Sequence, residues 1–224
     1  MKMKLTFLKK INWITHIIEL LVVFLGITAG FVLQNNKEQN ANKEIEQKYI
    51  EGIRYDVVEN IENLQEAIQR DSLWLEQSKY ALKLIASDSL SLDSSNSLIK
   101  TMIFYSEFSE QTTTYENILN SGNLNLIEDY DLKQKIVEYH KELENFQLLD
   151  TYFHDYFTET LMPFMLINYD MFHQKLIVLN SHKSILFKNI FGTHYSLTQQ
   201  RFEGYNRLLE ESKKMKKLLD NKMN

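Results

Sequence analysis

The sequence has no cysteine, one proline and six glycines in 224 residues. Without cysteine there is no disulfide, no thiolate zinc site and no thiol nucleophile. The absence assigns no compartment, since a periplasmic domain can also be disulfide-free. So few breakers among many Leu, Ile, Lys, Glu and Gln favour a mainly α chain. Basic character is also scarce: 25 Lys and Arg face 30 Asp and Glu, for a net charge of -5. No basic patch with interleaved aromatics occurs, which argues against nucleic acid as a partner. Catalytic patterns are missing too. His140, His173, His182 and His194 are scattered rather than spaced as metal ligands, and there is no nucleophile elbow or phosphate loop. Paired carboxylates such as Glu142 and Glu144 read as solvated helix faces. Neither an enzyme nor a cofactor is expected.

What is present is one long apolar run, Ile11 to Leu33. At about 1.5 Å per residue it reaches roughly 34 Å, enough to cross a hydrocarbon core of about 30 Å. Trp13 lies near its start, at the level of the lipid headgroups. Lys2, Lys4, Lys9 and Lys10 precede it, whereas the residues just after it carry only Lys37 and Glu38. This asymmetry predicts a single-pass protein of the inner (cytoplasmic) membrane. Residues 1–10 form the cytoplasmic flank, 11–33 the transmembrane helix, and 34–224 a periplasmic helical domain. A cleaved signal peptide is the competing reading, with small residues at Thr28-Ala29-Gly30. The run is long for a signal sequence, and Glu19 interrupts it, so an uncleaved anchor is expected.

The span has two faces. On a helical wheel Gly26 and Gly30 each fall within about 20° of Glu19. Asn12 shares that side, with Thr15 and His16 flanking it. Ile17, Leu21, Phe24, Leu25, Phe31 and Val32 lie opposite, with Thr28 as the polar exception. A charged group in a span usually faces protein or water, and small residues let another backbone approach. Glu19, Gly26 and Gly30 are therefore the candidate membrane-helix interface, for a second copy or an envelope protein, with lipid on the other side. The competing reading is a snorkelling Glu19 and incidental glycines.

The polar stretch Gln34 to Asn42 contains no Gly or Pro, so the membrane helix is expected to continue outward as a stalk. Val57, Ile61, Leu64, Ile68, Leu75, Leu82 and Ile85 then follow a coiled-coil-like rhythm, with Asp71 and Ser78 inside the seam. Serine-rich Ser87 to Asn96 predicts a turn, and Ser95 or Asn96 caps a helix to about Phe108. Thr113 to Ser121 predicts a short helix stopped by Gly122. Asp131 with Gln134 resembles a capping box opening the longest helix. Its seam runs through Leu132, Ile136, Tyr139, Leu143, Phe146, Asp150, Phe153, Phe157 and Phe164, and Pro163 kinks or ends it. Leu176 to Leu179 is a candidate short extended piece. Leu197 to Leu219 is a last helix burying Phe202, Tyr205, Leu209 and Leu219. Its terminal lysines, Lys213, Lys214, Lys216 and Lys217, form a solvated face. The whole predicts a bundle of four or five helices.

Two stretches carry a resemblance. One is Glu19-Leu20-Leu21-Val22-Val23-Phe24-Leu25-Gly26-Ile27 running on to Gln34-Asn35-Asn36. The other is Tyr115-Glu116-Asn117-Ile118-Leu119-Asn120-Ser121-Gly122-Asn123-Leu124, followed by the helix from Leu132. Together they resemble an uncharacterised family of single-span membrane proteins common in Bacteroidota, defined as a domain of unknown function. That family often has a tryptophan shortly after the Gln-Asn segment, where Lys37 and Glu38 stand here. The resemblance covers most of the chain. It implies a membrane anchor and a helical domain, and brings no known activity.

One polar constellation remains. Asp71 and Asp150 each interrupt an apolar seam, and His154 lies one turn after Asp150. If the two helices pack, the three could meet as a polar layer in the bundle. Such a layer sets register or, less commonly, holds a ligand. The expected function is a membrane-anchored structural or interaction protein of the cell envelope. The alternative is a helical sensor that binds a small ligand between helices and signals through a partner.

Overall fold

A computed structural model describes residues 13–103, 107–178 and 180–223, apart from the side chain of Thr15. The expected flank 1–10, Ile11, Asn12, Phe104 and Leu179 lie outside the described residues. The chain is mainly α. Its elements are α1 (Trp13–Ala86), α2 (Leu92–Met102), α3 (Thr113–Asn120), α4 (Tyr130–Tyr156), α5 (Met162–Asn168) and α6 (Ile185–Met223). A two-residue hairpin, β1 (Tyr169–Asp170) with β2 (Lys175–Leu176), precedes α6.

The chain divides into two compact units, Met1–Gln47 and Lys48–Asn224. The first consists of the opening part of α1, whose side chains are exposed from Trp13 to Asn40 wherever they are described. It holds one stretch long and apolar enough to cross a membrane. α1 has no break through Gln34 to Asn42, as the lack of Gly and Pro there predicts.

The second unit is a helical bundle with a core in two parts. One cluster contains Ile53, Val57 and Leu64 of α1, Leu132 to Phe146 of α4, and Tyr205 to Leu219 of α6. The other contains Trp74 and Leu75 of α1, Ile99 and Met102 of α2, Tyr156 of α4, and Phe187 and Phe191 of α6. The seams read from α1 and α4 are the buried faces, Asp71, Ser78 and Asp150 included.

Several boundaries differ from the sequence expectation. α2 is capped by Ser91, whose Oγ accepts from the Ser94 N–H at 3.1 Å, not by Ser95 or Asn96, and it ends at Met102. α4 is capped by Asp129, which accepts from the Leu132 N–H at 2.9 Å, not by the Asp131–Gln134 pair. α4 is not the longest helix either: α1 has 74 residues and α6 has 39. Gly122 does stop α3 as expected, in the left-handed region at φ 71°. Pro163 ends nothing. A π turn, Phe157–Leu161, carries α4 into α5, with the Met162 N–H donating to the Phe157 carbonyl. The wide turn comes just before the proline, where the ring would crowd an ordinary α ladder.

The loop before α3 is strapped to α1 by three short polar side chains. Asn60 donates to the Gln111 carbonyl (2.9 Å) and accepts from the Gln111 N–H (2.7 Å). Asn63 donates to the Ser109 carbonyl (2.8 Å), and Asp56 accepts from the Thr114 N–H (2.8 Å). Asp56 thus satisfies the N-terminus of α3, whose own Thr112 makes no side-chain cap. Gly204 allows a second close approach: a Cβ there would stand 2.7 Å from Phe146 Cε1. Overpacking of this kind costs about 1–3 kcal/mol, against about 1 kcal/mol of helix propensity gained. Gly204→Ala is therefore expected to lower the melting temperature. A rise would show that the Phe146 ring moves aside freely.

Candidate functional site

The polar layer forms where α1, α4 and α6 meet, between the two core clusters. α1 places Asp71 on its seam, α4 places Asp150, and both residues are only 8% exposed. α6 brings Arg201, 3% exposed, between them. Arg201 Nη2 lies 3.5 Å from Asp71 Oδ1, and Arg201 Nε lies 3.4 Å from Asp150 Oδ1. Tyr205, one turn on from Arg201, donates its hydroxyl to Asp150 Oδ1. The Phe108 N–H also donates to the Asp150 carboxylate. The guanidinium carbon sits 4.4 Å from the centre of the Phe153 ring and 5.5 Å from that of Tyr205. Asp71 Oδ2 is buried and accepts no hydrogen bond among the described residues.

The sequence expectation is met for Asp71 and Asp150 and not for His154. The helix puts Phe153, not His154, on the inward face after Asp150. The His154 imidazole is half-exposed and stands 3.4 Å from Glu107 Oε1, away from the layer. Arg201, the cation that joins the two acids, was not anticipated. Its signal was available: His194, Thr198, Arg201, Tyr205, Leu208, Ser212, Met215 and Leu219 keep a 4-3 spacing, and all are buried. A lone arginine on an amphipathic helix ordinarily reads as solvated.

Two carboxylates share one guanidinium, so full ionisation would leave an uncompensated negative charge indoors. Burial pushes the Asp71 carboxyl up to about 6; the neighbouring Asp150 adds to this and Arg201 opposes it. Burial raises Asp150 as well, against the Tyr205 hydrogen bond and Arg201. The layer is therefore built to hold a proton, and the two acids titrate as a pair. Beside it, His194 packs against Trp74, Phe153 and Tyr156, with ring centres 4.4, 5.1 and 5.8 Å away. Burial, then the charge of Arg201, holds this imidazole down to about 3. It is neutral at ordinary pH. No group of three His, Asp or Glu side chains among the described residues is placed to hold a metal ion.

The membrane-helix residues have a different setting. The carboxylate of Glu19 is 3.1 Å from His16 Nδ1, and both side chains are exposed. A Cβ on Gly26 or Gly30 would meet nothing within 4 Å. Opposite them, Thr28 folds its hydroxyl back onto the Phe24 carbonyl at 2.9 Å, which satisfies the one polar group on that side. Comparison with protein-family models, curated proteins and solved structures gave no match.

Proposed function

We propose that this chain is a membrane-anchored, non-enzymatic structural or interaction protein of the cell envelope. The observation that carries the proposal is the opening part of α1. It is apolar over the length of a bilayer, exposed throughout, and broken only by a face of Glu19, Gly26 and Gly30. That face is open to a second backbone, and it supports assembly with another copy or an envelope partner. The test is the size of the complex in mild detergent. Glu19→Leu with Gly26→Leu should convert the assembly to a smaller species; an unchanged size overturns the interface.

Inner-membrane residence with a periplasmic domain belongs to the same proposal, supported by the lysines ahead of the span. The chain has no cysteine, so Ser121→Cys provides a single label on an exposed turn. It should react with an impermeant thiol reagent in cells whose outer membrane is permeable. Labelling only after lysis would reverse the topology.

A sensor is the second reading, and the buried layer favours it. α1 runs without interruption from Trp13 to Ala86 and carries Asp71, whose partners Arg201 and Asp150 lie on other helices. A ligand that shifts this junction would act on α1 directly. A thermal shift of the full chain with a metal or metabolite panel would support it, and no shift would remove its support.

A further inference from the structure

Outside the membrane stretch, exposed large apolar side chains are mostly solitary, with one exception. Between Leu166 and Leu186 they crowd together. Phe172 is 96% exposed, Ile185 77% and Leu166 75%, with Ile167, Ile177 and Leu186 also exposed. The scaffold beneath them is fixed. Tyr169 and Leu176 are buried in the core, the Leu176 N–H is held by Asn96 Oδ1 at 2.8 Å, and the Ile177 N–H is held by the Asn168 carbonyl at 2.8 Å. Asp170 ties the turn by accepting from the Phe172 and His173 N–H groups. The turn therefore presents Phe172 outward as a protruding apolar tip rather than covering it.

We propose that this hairpin end is a peripheral membrane-contact site that inserts Phe172 and its apolar neighbours into a phospholipid surface bearing anionic headgroups. Charge complementarity selects this occupant. Lys175, Lys183 and Lys188 border the tip, whereas its nearby acids are already engaged, Asp170 by His173 and Asp88 by Lys188. A basic rim around an apolar tip, on a chain of net charge -5, matches an anionic lipid surface. A symmetric contact between two copies would instead bring each lysine rim against its own image. A convex tip with one protruding ring also suits a fluid surface, which needs no matching pocket. The site is argued from the second unit alone and stands apart from the anchor reading.

The test uses the full chain in proteoliposomes of phosphatidylethanolamine and phosphatidylglycerol, with a quencher carried on the lipid. The probe is an environment-sensitive dye at Ile177→Cys, and the control is the same dye at Tyr130→Cys on α4. Quenching and a blue shift are expected at 177 and not at 130. Adding Phe172→Asp with Ile185→Asp should weaken the quenching about tenfold. Replacing phosphatidylglycerol by phosphatidylcholine should reduce it. No quenching at 177 overturns the proposal. So does a blue shift that disappears on diluting the protein in excess lipid, since that marks contact between copies. Retention of the chain in the vesicles after alkaline carbonate reports the anchor separately, so the two readings fail independently.

Discussion

Arg201→Leu is expected to destabilise the second unit by about 3–5 kcal/mol, the usual consequence of removing one partner of a buried ion pair. The loss comes less from a missing attraction than from Asp71 and Asp150 being left in the interior without a counter-charge. Trp74 is almost fully buried beside the layer, so its fluorescence can follow denaturant unfolding of the full chain in detergent. Asp71→Asn should act in the opposite direction. It removes the surplus negative charge, keeps the shape, and is expected to stabilise the unit at neutral pH. If both variants destabilise equally, the layer is an ordinary balanced pair and the account of its charge is wrong.

The second large effect is the pH profile. Burial holds the His194 imidazole down to about 3 and that of His140 to about 4. Both are lowered from the ordinary value near 6.5, so the unfolded state binds protons more readily. Stability is then complete above about pH 6.5 and falls on acidification. Each histidine takes away about 3 kcal/mol by pH 4, at about 1.4 kcal/mol per unit. Asp71 has the contrary sign. Its carboxyl is raised from the unfolded value of about 3.9 to about 6. It therefore contributes stability that is full below about pH 4 and lost as pH rises through about 6. The histidines dominate, so the wild-type chain is expected to weaken steadily from pH 6.5 to 4, with Asp71 offsetting part of the fall. Asp71→Asn should start higher at pH 7 and fall more steeply. Denaturant midpoints across this range test the prediction, and a wild-type profile flat between pH 6.5 and 4 would overturn it.

Much of this layer was readable before any coordinates. Asp71 and Asp150 stand where a heptad rhythm demands apolar residues, and such violations point inward because the flanking positions are already committed. His154 misled because its i+4 spacing from Asp150 is also a same-face relation. Phe153 at i+3 is the bulkier apolar competitor and occupied the core. Arg201 was hidden by chemistry rather than position, since its charge argued for solvent while its spacing argued for burial. The strap of Asp56, Asn60 and Asn63 was invisible for another reason. Its partners are backbone groups at Ser109, Gln111 and Thr114, and no side-chain pattern announces which loop a polar residue will hold. Helix caps shifted by a few residues wherever several Ser, Asp or Asn competed for the position, as at Ser91 and Asp129.

The π turn at Phe157–Leu161 has a consequence for how this helix tolerates changes of length. A wide turn holds one residue more than the backbone ladder needs. Deleting a single residue there would restore ordinary winding and rotate everything after it by about 100° relative to the core. Phe164 and Met165, now buried, would leave the core together, and the hairpin behind them would be re-aimed. Conversely, an insertion or deletion elsewhere in α4 could be absorbed at this one place without disturbing either end. The helix thus has an adjustable phase at mid-length. Chains of this architecture that differ in α4 length should differ first at the π turn, before any loop.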